Sequence, residues 1–151
     1  MTKKILSVFV LLILTSCGFS PIYTKSNKAD YAINISEMNG DRLVNNLISS
    51  EINRITNSKS NVKYKIKINT SYEKLILSKN IKGSISEYQI IVKTTFNIER
   101  NNANKYISFE EKQNIKNTSN TFEQKNYENI IKKNFAVSMV RKLNLELLSV
   151  K

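Results

Sequence analysis

Residues 62–72 alternate without a break. Val62, Tyr64, Ile66, Ile68, Thr70 and Tyr72 fall on one side of an extended chain, and Lys63, Lys65, Lys67, Asn69 and Ser71 on the other. Successive side chains of a strand point to opposite faces, so the pattern predicts a half-buried β-strand. A second alternating run sets Tyr88, Ile90, Val92, Thr94, Phe96 and Ile98 on one apolar face. Asn101-Asn102-Ala103-Asn104 then reads as a hairpin loop, because Asn tolerates left-handed backbone angles. The returning strand, about 105–115, carries Ile107, Phe109 and Ile115 on one face. Lys79-Asn80-Ile81-Lys82-Gly83-Ser84, between the first two long strands, is a polar connection with an expectedly mobile tip.

Two segments follow a helical period instead. Leu43, Val44, Leu47, Ile48, Ile52 and Ile55 recur at spacings of one, three or four and form a single apolar stripe. Gly40-Asp41 breaks the chain before them, and Asn39 or Asp41 can cap the exposed amides. At the far end, Thr118 to Thr121 supplies capping residues and Glu123 favours the positive end of a helix. Phe122, Tyr127, Ile130, Ile131, Phe135, Val137, Met139, Val140, Leu143, Leu147 and Leu148 give that helix a broad apolar face. A weaker strand pattern, with Tyr31, Ile33 and Ile35 on one side, precedes the first helix. The order strand, helix, three strands, helix predicts an α+β fold. It is a two-layer sandwich in which an antiparallel or mixed four-stranded sheet carries two helices on one face.

The start of the chain has a different grammar. Lys3 and Lys4 precede an apolar run from Ile5 to Leu14, interrupted only by Ser7, and then Thr15-Ser16-Cys17. A helix of that length spans about 15 Å, half of a bilayer's hydrocarbon thickness, so the run suits a signal peptide better than a membrane span. Leu14-Thr15-Ser16-Cys17 resembles the bacterial lipobox. That resemblance implies a diacylglyceryl thioether on Cys17, cleavage between Ser16 and Cys17, and N-acylation of the new terminus. Two or three acyl chains anchor stably where one does not. The other reading leaves Cys17 as an ordinary signal-peptide residue or a buried thiol. Residues 1–16 are thus a lipoprotein signal peptide and 17–30 a tether containing the sole proline, Pro21. Residues 31–151 form one domain.

Composition narrows the chemistry. The chain has 151 residues, no His and one Cys, which excludes His acid–base catalysis, Cys–His nucleophiles, thiolate zinc clusters and an internal disulfide. Glu110 and Glu111 are neighbours on a strand and face opposite sides, so they cannot converge on a substrate. The chain is not expected to be an enzyme. Its formal charge of +12 arises from 24 Lys plus Arg against 12 Asp plus Glu. A basic surface attracts anions in general. Much of this excess can come from codon bias, since Lys, Asn and Ile are all abundant. Lys63, Lys65 and Lys67 on one strand face, with Lys79 and Lys82 in the following connection, are the candidate contacts for phosphates of an anionic lipid or nucleic acid, the other reading being a solvated face in a Lys-rich chain. Lys132-Lys133 and Arg141-Lys142 read as the polar side of the last helix. The tyrosines sit mostly at core-periodic positions, which with the export signal argues against nucleic-acid binding.

Cys17-Gly18-Phe19, followed by Pro21-Ile22-Tyr23, resembles the lipidated amino terminus of the LPS-assembly lipoprotein family LptE. The strand–helix–three-strand–helix order also looks like that family. The resemblance implies an outer-membrane lipoprotein facing the periplasm, where it plugs and helps assemble the β-barrel LptD in a 1:1 complex. It also implies contact with lipopolysaccharide and no cofactor beyond the covalent lipid on Cys17. Gly18 after the Cys, rather than Asp, resembles lipoproteins sent onward to the outer membrane. The alternative is an envelope lipoprotein that binds an anionic lipid without a barrel.

Overall fold

The computed structural model describes residues 28–101 and 103–149. Their elements are β1 (Ala32–Gly40), α1 (Arg42–Ile55), β2 (Lys63–Lys79), β3 (Ile85–Arg100), β4 (Ala103–Lys116) and α2 (Thr121–Leu148). The strands lie side by side in chain order, with β1 parallel to β2 and the β2–β3–β4 pairs antiparallel. A parallel neighbour requires a crossover, and α1 supplies it. α1 packs on β1 and β2, α2 packs on β3 and β4, and the helices touch each other over one face of the sheet. This is the expected α+β two-layer sandwich, with a mixed sheet.

The alternating patterns position the core as read. Tyr64, Ile66 and Ile68 of β2, Ile90, Val92, Phe96 and Ile98 of β3, and Ile115 of β4 are buried under the helices. Val44, Ile48 and Ile52 of α1 meet them together with Ile131, Phe135, Met139, Val140, Leu143 and Leu147 of α2. Each helix has its own cap. Asp41 accepts from the Val44 N–H at 2.8 Å, and Asn120 accepts from the Phe122 and Glu123 amides.

The strands run longer than the alternation suggests. β1 continues past Ile35 through an irregularity at Ser36, which restores its pairing so that Glu37 meets Lys67. β2 and β3 extend past Tyr72 into a hairpin arm, and irregularities around Leu77 and Ser78 break its alternation. Lys79 is therefore the last residue of β2 and not part of the connection. In the turn, Asn80 Oδ1 accepts from the amides of Lys82 and Ser84, each at 3.0 Å.

α2 departs from its predicted face. Phe122, Tyr127, Ile130, Val137 and Leu148 are exposed, as is Leu145. Apolar residues occur on more than one side of this helix, so periodicity alone overstates the buried stripe. Tyr106 also points away from the core, 70% exposed, at a position on the uncovered sheet face.

Candidate functional site

The register turns the uncovered sheet face into a series of rows. One row reads Asn34, Lys65, Glu99, Asn104, and the next reads Glu37, Lys67, Asn97, Tyr106. Farther along come Ser71, Lys93, Glu110 and then Glu73, Ile91, Lys112. Acids and bases are interleaved across the strands rather than segregated. Lys67 Nζ lies 2.9 Å from Glu37, Lys65 lies 3.3 Å from Glu99, and Lys112 lies 2.7 Å from Glu110. A hydrogen bond from Lys67, joined by one from Asn39, holds the Glu37 carboxyl below its ordinary range. The same bond holds the Lys67 ammonium above its own.

The five candidate lysines therefore do not form one cluster. Lys63, Lys65 and Lys67 sit at the start of β2. Lys79 and Lys82 sit at the opposite end, about 45 Å from Lys65 at the usual strand rise. Lys65 and Lys67 are engaged by carboxylates from β3 and β1. Among the described residues, Lys63, Lys79 and Lys82 have no carboxylate within salt-bridge distance. The hairpin tip is thus a cationic spot distinct from the sheet face. Cys17 and Ser16, the lipidation and cleavage residues, lie outside the described residues.

At the base of the hairpin arm, charged side chains link the sheet to α2. Glu128 of α2 accepts from Lys74 of β2 and from Tyr72, and Lys132 stands 3.6 Å over the Tyr72 ring. Burial would raise the Glu128 carboxyl, but the hydrogen bonds from Lys74 and Gln124 outweigh it and hold it low. Burial, with Glu128 beside it, pushes the Tyr72 hydroxyl up to about 12. Lys132, partly exposed, therefore packs against the sheet instead of standing free on the polar side of the helix. Lys142 likewise reaches Glu111 at 2.8 Å, and Glu111 also accepts from Ser138 at 2.6 Å. Glu110 and Glu111 face opposite sides of the sheet, as their adjacency requires.

The other end of the sandwich is organised by Arg100, which sequence patterning does not single out. Its guanidinium donates to the Tyr64 hydroxyl at 2.9 Å and lies 5.1 Å from that ring's centroid. Tyr64 stands edge-on to Tyr31, their ring centroids 5.5 Å apart, and Tyr31 donates to Asn144 of α2. Burial, then the neighbouring Tyr64, pushes the Tyr31 hydroxyl up to about 12. The chain enters the fold at this end, where Ala29 N–H donates to the Ile55 carbonyl at 2.7 Å and Ser60 donates to the Asp30 carbonyl at 3.0 Å.

No group of His, Cys, Asp and Glu among the described residues could hold a metal ion, and none of their helices is long and apolar enough to cross a membrane. No family model and no curated protein matches the sequence. The fold does have counterparts among solved structures. Rare lipoprotein B from Shewanella oneidensis superposes with a TM-score of 0.57 at 13% identity, over 79% of this chain and 95% of that one. A minor lipoprotein from Acinetobacter baumannii gives 0.53 at 14% identity, over 79% and 94%. The chain shares the architecture of these bacterial lipoproteins across nearly their whole length.

Proposed function

We propose that the chain is an outer-membrane lipoprotein that plugs a large LptD-type β-barrel, helps it assemble, and contacts lipopolysaccharide on its way to the cell surface. The observation that carries this reading is the sandwich common to this chain and rare lipoprotein B, which is LptE, joined to the lipobox-like Leu14-Thr15-Ser16-Cys17. Cys17 would carry the diacylglyceryl and N-acyl groups, and the role needs no other cofactor and no catalysis. The surface suits a protein enclosed by another. The sheet face opposite the helices is uncovered and its charges are interleaved. The outward side of α2 presents Tyr127, Ile130, Val137 and Leu145. In this reading lipopolysaccharide phosphates meet Lys79 and Lys82 at the hairpin tip, because Lys65 and Lys67 already have carboxylate partners.

Affinity isolation of the native lipoprotein from detergent-solubilised membranes tests the reading. A large β-barrel should accompany it from the outer membrane. Recovery of the protein alone, from the inner membrane, would overturn the plug role. Recovery without a barrel but with salt-sensitive lipopolysaccharide binding would favour a barrel-independent anionic-lipid carrier.

A further inference from the structure

A cavity of about 410 Å³ opens at the entry end of the sandwich, between the β3–β4 turn and the last turns of α2. Its floor is aliphatic and aromatic, formed by Tyr64, Ile98, Ile107 and Leu147. Its volume lies within the range of small-molecule sites, and its composition follows their usual plan of an apolar lining with few polar groups. Two smaller clefts adjoin it, and Arg100 lines all three.

Charge at this mouth is unevenly satisfied. Lys105 and Glu146 face each other across the rim at 2.9 Å and neutralise one another. Glu99 is engaged by Lys65. Asp30 lines a neighbouring cleft but lies beyond salt-bridge distance of Arg100. Arg100 is thus a half-buried guanidinium held in place by a neutral phenol, with donors to spare and no carboxylate partner among the described residues. A guanidinium presents a planar fork that matches carboxylate and phosphate oxygens. The carbonyl end of α2 disfavours an anion nearby, so Arg100 must supply the attraction.

We infer that this cavity binds a single-chain amphiphile with an anionic head, its hydrocarbon among Ile98, Ile107 and Leu147 and its carboxylate or phosphate on Arg100. The site is independent of any barrel partner and lies at the end of the sheet opposite Lys79 and Lys82. It can therefore fail while the plug role stands, and the reverse.

The test uses the full chain carrying Cys17→Ser in nonionic maltoside micelles, labelled with a diazirine derivative of dodecanoate and mapped by peptide mass spectrometry. Label should fall on the segments around Ile98–Ile107 and Glu146–Leu148. Dodecanoate and dodecyl phosphate should compete, the better competitor identifying the headgroup, and neutral dodecanol should not. Arg100→Gln should raise the competing concentration needed by about tenfold or more, the effect of losing a charge-assisted hydrogen bond. Lys93→Gln removes one positive charge from the uncovered sheet face, away from the cavity, so labelling should persist. Label scattered over the surface would overturn the inference, as would equal competition by dodecanol or an unchanged Arg100→Gln. An equal loss in Lys93→Gln and Arg100→Gln would reduce the effect to overall charge and overturn it too.

Discussion

Gly40 and Gly83 both have positive φ, at 91° and 80°, yet they should respond very differently to a methyl group. At Gly83 an added Cβ meets nothing within 4 Å. Gly83→Ala should therefore cost only the backbone strain of a left-handed L-residue, about 1–2 kcal/mol. At Gly40 the same Cβ would sit 1.7 Å from the Thr70 carbonyl oxygen and 2.7 Å from its carbon. Neither atom can rotate away, because both belong to the backbone of a central strand. β1 must shift from β2 by more than an ångström. That movement strains the Asp41 N–H bond to the Thr70 carbonyl and the Thr70 hydroxyl's bond to the Asp41 carbonyl, both 3.2 Å. It also disturbs Asp41 as the cap of α1. Each of these is worth about 1 kcal/mol, which with the strain brings Gly40→Ala to about 3–5 kcal/mol. Urea unfolding, followed by far-ultraviolet circular dichroism, should show a much larger drop in midpoint for Gly40→Ala than for Gly83→Ala. Equal losses would refute the close approach of β1 and β2.

Three further outcomes are expected. Thr94 is buried with its hydroxyl unpartnered among the described residues, so Thr94→Val should raise stability by about 1 kcal/mol in the same assay. The Glu111 carboxyl is raised by burial but held below its ordinary range by hydrogen bonds from Lys142 and Ser138, so it binds protons less readily folded than unfolded. The pairing should stabilise the fold above the ordinary carboxylate pKa and fade as pH falls through the lowered folded value. Glu111→Gln should then cost up to about 1 kcal/mol at neutral pH, and denaturation midpoints for the two proteins should converge in acid. In cells supplied with radiolabelled palmitate, the native chain should become labelled and Cys17→Ser should not, and equal labelling would refute lipidation at that residue.

The legible parts of this fold are those where one side chain decides one face. β2 and β3 alternate because their apolar sides meet the helices and their polar sides meet solvent, and Asp41 caps α1 as its position before the stripe suggests. The hairpin arm is harder to read, since Leu75-Ile76-Leu77 is a continuous apolar run and the bulge there resets the faces. α2 misleads for the opposite reason: Tyr127, Ile130 and Val137 share its period without sharing its buried side. The candidate site was least legible. Lys65 and Lys67 look like a cationic row until the register brings Glu99 and Glu37 beside them from other strands. Arg100 stands at a strand end with no pattern around it, and only the meeting of Tyr64, Tyr31 and Leu147 from distant segments gives it a place.

The order of the sheet also sets a timetable. Every strand pairs with its neighbour in sequence, so the β2–β3–β4 meander can close soon after its residues become available, at small loop-closure entropy. α2 is the last of the described elements to arrive. Until it docks, Ile90, Val92, Phe96 and Ile98 of β3 lack the Ile131, Phe135 and Met139 that shield them. A nascent chain thus passes through an interval in which the sheet is formed but half its apolar side is bare, the species most prone to aggregate. Loss of α2 would make that interval permanent.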